Sequence, residues 1–234
     1  MINIIRNEER YHFESDWLST YWHFSFDHYH DPKNMSFGPL RVFNDDVVQP
    51  SSGFPTHAHR EMEIITYVLE GELEHKDDTG GADRIRPGEV QRMSAGTGIR
   101  HSEYNPSPDQ PVHLLQMWIE PSVRNLAPSY EQMSFTKAQR DGNLLAVASG
   151  RGVPGTVMVH QDTTFYVASL NSGNQVSHDL GMQRLAYLFV ISGNVVVNDK
   201  PLSGGDQARI SNEAIVTLKA DEPSEIILID LPLD

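Results

Sequence analysis

The sequence predicts an all-β protein built from two similar halves. Three observations carry this. Short segments rich in β-branched and aromatic residues recur along the chain, among them 63–70, 112–119, 187–191 and 225–230. Turn-forming residues separate them, as at Gly71, at Asp77-Asp78-Thr79-Gly80-Gly81, at Arg86-Pro87-Gly88 and at Ser149-Gly150-Arg151-Gly152. The order of elements then repeats: 187–193 parallels 66–71, Gly204-Gly205-Asp206 parallels Pro87-Gly88-Glu89, and 225–230 parallels 112–119. The expected domains are residues 1–134 and 135–234, with the connection in the Gly-rich stretch around 149–155.

Taken in order, residues 2–6 predict an N-terminal strand. The aromatic run 21–29 predicts a half-buried extended segment, and His23 and His28 within it and His30 just after it are expected to be packed or hydrogen-bonded. Residues 40–48 predict a strand interrupted by a turn at Asn44-Asp45-Asp46. The strand 63–70 ends at Gly71, and 72–76 returns. Residues 90–94 lead to a corner at Gly96 and Gly98, where glycine lets the chain turn sharply into 101–103. His113, alternating with Leu115 and Met117 in 112–119, is expected to be packed. Ser129 caps an expected short helix over 129–133.

Composition excludes several functions. The chain has 234 residues and a formal net charge of -14, which argues against binding nucleic acid or anionic lipid through a basic surface. It has no cysteine, so there are no disulfides, thiolate nucleophiles or sulfur-ligated clusters. The first ten residues combine a short apolar start with charges, and no apolar run approaches membrane-spanning length. A cytoplasmic location is the expectation.

The most informative stretch runs from Gly53 to Asn105. Residues two apart on a strand share a face, so His57 and His59 point one way, as do His101 and Glu103. Two such pairs on neighbouring strands converge on a point. Three neutral imidazoles and a carboxylate suit a divalent ion. Glu61 and Glu63 continue the alternation of the first pair, so spacing alone leaves Glu63 open as the carboxylate. The same counting in the second half puts Asp179, Gly181 and Leu218 where the ligands stand in the first, and leaves His178 alone with a structural role.

The motif H-A-H-R-E-M-E (57–63), with Y-V-L-E-G (67–71), R-P-G-E (86–89) and M-S-A-G-T-G-I-R-H-S-E (93–103), resembles the pirin version of the cupin metal motifs. W-H-F-S-F (22–26) and G-P-L-R-V-F-N-D-D (38–46) extend the resemblance over most of the first half. Within the family it is strongest to bacterial pirin-like proteins with quercetin 2,3-dioxygenase activity. The resemblance implies a bicupin, two antiparallel jelly-roll β-barrels packed face to face. It implies His57, His59, His101 and Glu103 as metal ligands, with Glu63, the ligand of the general cupin pattern, as a carboxylate behind them that orients a histidine. It implies one divalent ion, iron(II) first, with zinc, manganese, nickel, cobalt or copper as alternatives.

The implied reaction is opening of the flavonol heterocycle by dioxygen with loss of carbon monoxide, Glu103 taking the hydroxyl proton. Phe43, Phe54, Met93 and Trp118 are the expected pocket residues. The expected partners are a flavonol-like aromatic and dioxygen. The alternative is an iron-dependent, redox-sensing interaction protein that binds a protein partner without turnover.

Overall fold

The computed structural model describes residues 1–233, and its chain is almost entirely β. It forms two compact units. The N-terminal unit comprises Tyr11–Ser134 with Val157–Gln161, and the C-terminal unit comprises Met1–Arg10, Phe135–Thr156 and Asp162–Asp234. These units differ from the expected spans in two places. The strand Ile2–Ile5 pairs in antiparallel register with Gln207–Ser211, which carries the N-terminus into the C-terminal unit. The segment Val157–Gln161 joins the N-terminal unit, where Met158 donates its N–H to Glu131 (3.0 Å) and accepts from Arg92 (2.8 Å).

The larger sheet of the N-terminal unit runs, in spatial order, Ser129–Ser134, Glu89–Ser94, Glu63–Glu70, Val112–Ile119, Leu40–Val48, Leu18–Trp22 and Tyr11–Glu14. The smaller runs Gly53–His59, Ile99–Tyr104, Leu73–Asp77 and Ala82–Ile85. Every pairing within them is antiparallel. The sheets are open at their edges, so each half is a two-sheet cupin sandwich and not a hydrogen-bonded barrel. What joins the two sheets is the core: Val48, Val68, Val112 and Leu114 of the larger sheet pack with Leu73 and Ile85 of the smaller. Each such side chain contributes about 1.5–3 kcal/mol by leaving water.

The C-terminal unit repeats the plan. One sheet is ordered Ile2–Ile5, Gln207–Ser211, Arg184–Ser192, Ser224–Pro232, Thr164–Leu170, Leu145–Ser149, and the other Gln175–Asp179, Ile215–Ala220, Asn194–Val197, Lys200–Ser203. A buried cluster that includes Leu188, Val195, Leu218 and Leu228 fills its interior.

Two local expectations are overturned. Residues 129–133 form no helix. Ser129–Ser134 is an edge strand in register with Glu89–Ser94, where pairing overrides the capping signal of Ser129. The short helix lies further on, at Lys137–Arg140, with Thr136 as its cap. There is also no turn at Asn44-Asp45-Asp46, because Leu40–Val48 is one continuous strand. Alternation sends Asp45 to one face, where it meets His113 (2.6 Å), and Asn44 and Asp46 to the other. Burial alone would lower the His113 pKa, but the bond to Asp45 and the nearby acids Glu70 and Asp46 outweigh it and raise it. His113 is thus paired and sits outside the site.

Candidate metal centre

The strands Gly53–His59 and Ile99–Tyr104 are hydrogen-bonded neighbours, and their register sets His57 directly opposite His101. The register then slips, so that Glu103 faces Phe54. The extra residue falls around Pro55, whose missing N–H suits a bulge. On its far side Ile99–Tyr104 pairs with Leu73–Asp77, with Glu103 opposite His75 and His101 opposite Asp77. The chain enters this strand through Gly96 and Gly98, both with positive φ. A Cβ on Gly96 would meet the Leu126 carbonyl oxygen at 2.0 Å, so only glycine fits.

Potential ligand atoms gather in two overlapping groups, His57/His59/His101 and His75/His101/Glu103, each within 4.8 Å. The three sequence-predicted rings are neighbours, with centroids 4.4 Å (57 to 101), 4.7 Å (57 to 59) and 4.8 Å (59 to 101) apart. Their protonation follows from their partners. His57 Nδ1 lies 2.8 Å from the Pro55 carbonyl oxygen, which can only accept, so Nδ1 carries the proton and Nε2 keeps a lone pair. His75 Nε2 lies 3.0 Å from Asp77 Oδ2. Burial opposes the Asp77 charge, but hydrogen bonds from Thr79, His75 and Gly81 outweigh it and hold the carboxyl below its ordinary range. His75 therefore donates from Nε2, and its Nδ1 is free to accept. His101 Nδ1 faces that atom at 3.4 Å and carries the proton between them. This leaves a lone pair on His101 Nε2, 3.1 Å from the lone pair on His57 Nε2.

Two lone pairs at that distance repel unless a cation lies between the groups. Two further buried atoms lack a hydrogen-bond partner, His59 Nε2 and Glu103 Oε1. Burial, then the neighbouring rings His57 and His75, push His101 down to about 3. Burial, then His101 and His57, push His59 down to about 4. Both rings are neutral at pH 7, the state in which imidazole ligates. A single divalent ion fits this donor set.

Glu103 is aimed by Gln116, which strand reading did not single out, and through it by Trp118, one of the expected pocket residues. Gln116 Nε2 donates to Glu103 Oε2 (2.8 Å), and Trp118 Nε1 donates to Gln116 Oε1 (3.1 Å). A glutamine at an inward position of the otherwise apolar strand Val112–Ile119 was the available signal, as was His75 alternating with Leu73 and Asp77. Glu63 is fully buried but does not orient a ring of this cluster. It accepts from the His160 backbone N–H (2.6 Å), from His160 Nδ1 (2.8 Å) and from Ser94 Oγ.

A cavity of about 600 Å³ opens beside the cluster. Its walls include Phe13, Trp17, Trp22, Phe26, Phe54 and Trp118, and His57, His59, Glu103, Gln116, Asn44 and Asp46 also face it. Of the expected pocket residues, Phe54 and Trp118 line it and the other two do not. Phe43 has odd parity on its strand, so it faces away from Asn44 and stacks on His23 (4.6 Å). Met93 is fully buried among Ile64, Ala95 and Ile99.

In the C-terminal unit the corresponding strands Gln175–Asp179 and Ile215–Ala220 also pair antiparallel, but Leu218 faces Val176 and Asp179 faces Ile215, so the slots found by counting do not face each other as His57 and His101 do. There Leu218 is buried in the core, and His178 Nε2 bonds Asp230 (2.8 Å), which also accepts from Arg151 (3.2 Å) and Arg184.

Comparison with known proteins agrees with this architecture. The Pirin family model matches residues 5–119, and a model described as the quercetinase C-terminal cupin domain matches 146–231. The crystal structure of the bacterial pirin YhhW from Escherichia coli in complex with nickel(II) superposes with a TM-score of 0.94 at 42% identity, covering 99% of each chain. The chain belongs to the pirin family. It is 44% identical over 232 residues, 99% of each chain, to the quercetin 2,3-dioxygenase of Escherichia coli strain K12. It is 42% identical, over 92% of each chain, to a pirin-like protein of Caulobacter vibrioides.

Two outcomes are expected. Because His75 and Asp77 fix the His101 tautomer, His75→Ala should weaken nickel(II) or iron(II) affinity about ten- to hundredfold, the usual cost of losing a residue behind a ligand, and Asp77→Asn somewhat less. Calorimetric titration reads this, and wild-type affinity in His75→Ala would refute the relay. The second outcome concerns Asp46, whose carboxyl burial above all raises from 3.8 to about 7, with Asp45 and Glu103 adding to the rise. From about pH 4 to 7 the unfolded chain releases this proton while the folded protein keeps it, so the group costs stability as pH rises, up to about 4 kcal/mol above pH 7. The melting temperature of metal-free Asp46→Asn relative to wild type should therefore climb between pH 5 and pH 8. A difference independent of pH would contradict it.

Proposed function

We propose that this protein is a metal-dependent dioxygenase that opens flavonols such as quercetin, with His57, His59, His101 and Glu103 holding one divalent ion, iron(II) foremost. The observation that carries the reading is the placement of the donor cluster at the wall of a large, aromatic-lined cavity. A site that only stabilised the fold or sensed redox state would need no such chamber. The kinship with a quercetin 2,3-dioxygenase supports the substrate class.

When bound, the ion supplies Lewis acidity and a template on which an acidic hydroxyl and dioxygen meet. The chain's own residues do the rest. The cavity aromatics take the flat substrate out of water and hold it against the cluster. Glu103, as ligand or on brief release from that role, takes the flavonol hydroxyl proton through Oε1, the oxygen without a hydrogen-bond partner, while Gln116 and Trp118 fix the other oxygen. His59 and His101, neutral at pH 7, add no positive charge to the site. The flavonol and dioxygen together account for the atoms of the ring-opened ester and carbon monoxide.

The test is oxygen consumption by the iron-loaded protein with quercetin, with carbon monoxide measured in the headspace. Equal amounts of dioxygen consumed and carbon monoxide released are expected. Glu103→Asp should retain the metal yet lose about a hundredfold in turnover, because a base withdrawn by about an ångström is misplaced for the transfer. Quercetin binding to the loaded wild type without oxygen uptake would overturn the assignment.

A further inference from the structure

The cavity has a polar floor that proton transfer at Glu103 does not use. Asn44 and Asp46 stand two apart on Leu40–Val48, so both side chains point to the cavity side of the sheet, and both line the cavity. They are 3% and 2% exposed, and Asn44 Oδ1 and Asp46 Oδ1 have no hydrogen-bond partner, the Thr20 hydroxyl acting on the Asp46 carboxyl without satisfying that oxygen. A buried acceptor left unpaired is costly, and native proteins keep few of them. Their neighbour Asp45 shows what the same strand does where no ligand is needed, since it is paired with His113 on the opposite face.

The sequence pattern strengthens the point. Asn-Asp-Asp is turn chemistry, and here it sits mid-strand against its local preference. The surrounding walls are Phe13, Trp17, Trp22, Phe26, Phe54 and Trp118. A ligand that satisfies both features is a planar aromatic carrying hydroxyl donors away from the metal.

We propose that Asn44 and Asp46 form a specificity subsite that accepts hydrogen bonds from phenolic hydroxyls on the part of the substrate remote from the metal. The subsite selects polyhydroxylated flavonols over flavonols whose only hydroxyl is the one that reacts. The inference rests on the flavonol reading above, deepening it from a substrate class to a substitution pattern. The two acceptors lie on one rigid strand, roughly 6.5–7 Å apart along it, so they can engage separate hydroxyls of one rigid ring system.

The experiment is calorimetric binding without oxygen at pH 8, where the Asp46 carboxyl is ionised and can only accept, using protein loaded with redox-inert zinc so that no turnover intervenes. Quercetin is compared with 3-hydroxyflavone, which lacks the remote hydroxyls, in wild type, Asn44→Leu, Asp46→Leu and the milder Asp46→Asn. Wild type should bind quercetin at least tenfold more tightly than 3-hydroxyflavone, about the value of one hydrogen bond. Each leucine variant should lose about tenfold for quercetin and less than twofold for 3-hydroxyflavone. Asp46→Asn, which keeps the shape, should fall between wild type and Asp46→Leu, and guards against a leucine variant that does not fold.

Equal losses for both ligands would mean a merely structural role and overturn the subsite, as would equal wild-type affinities. Failure of quercetin to bind at all would overturn both the subsite and the flavonol reading. Selective binding in a protein that consumes no oxygen would uphold the subsite and sink the dioxygenase. Turnover without selectivity would do the reverse.

Discussion

The site depends on one constraint: two imidazole lone pairs, on His57 and His101, are held 3.1 Å apart by the register of adjacent strands. That geometry is unfavourable in isolation and favourable around a cation. Much of the nearby sequence serves it. The bulge at Pro55 supplies the carbonyl that fixes the His57 tautomer. Gly96 lets the chain pass against Leu126 and deliver His101. The His75–Asp77 pair fixes the tautomer of His101 from behind. The Trp118–Gln116 pair leaves Glu103 one free oxygen. Backbone geometry thus makes the donor set, and outer residues choose which atom of each ligand is offered.

The C-terminal unit shows that the scaffold alone is not sufficient. It pairs the corresponding strands, but its buried carboxylate, Asp230, is surrounded by Arg151, Arg184 and His178. There the charge of Asp230 is balanced by side chains. In the N-terminal unit, four unpartnered atoms, His59 Nε2, Glu103 Oε1, Asn44 Oδ1 and Asp46 Oδ1, belong to residues that line one cavity, while Thr20 Oγ1, Thr66 Oγ1 and Gln91 Oε1 do not.

The donor cluster was legible in the sequence because it obeys a local rule. H-x-H and H-x-E place side chains on one strand face whatever the rest of the chain does. The all-β class was legible for the same reason. What could not be read depends on register between strands far apart in sequence. His75 matters because it stands opposite Glu103, and Gln116 because it reaches Glu103 from the other sheet. Glu63 follows the right alternation but meets His160, 97 residues away. Phe43 is expected in the pocket from strand alternation, but its parity on Leu40–Val48 is opposite to that of Asn44 and Asp46, and it stacks on His23 instead. At Ser129 and at Asn44 local propensity pointed to a helix cap and a turn, and sheet pairing overrode both.

The most direct test is a crystal structure of the protein loaded with iron(II) or nickel(II), with the metal located by its anomalous scattering. The account predicts one ion per chain, bound by Nε2 of His57, His59 and His101 and by Oε1 of Glu103, with His75 outside the coordination sphere and bonded to His101 Nδ1. An ion ligated by His75 in place of His57 and His59, or one seated at His178 and Asp230, would contradict it.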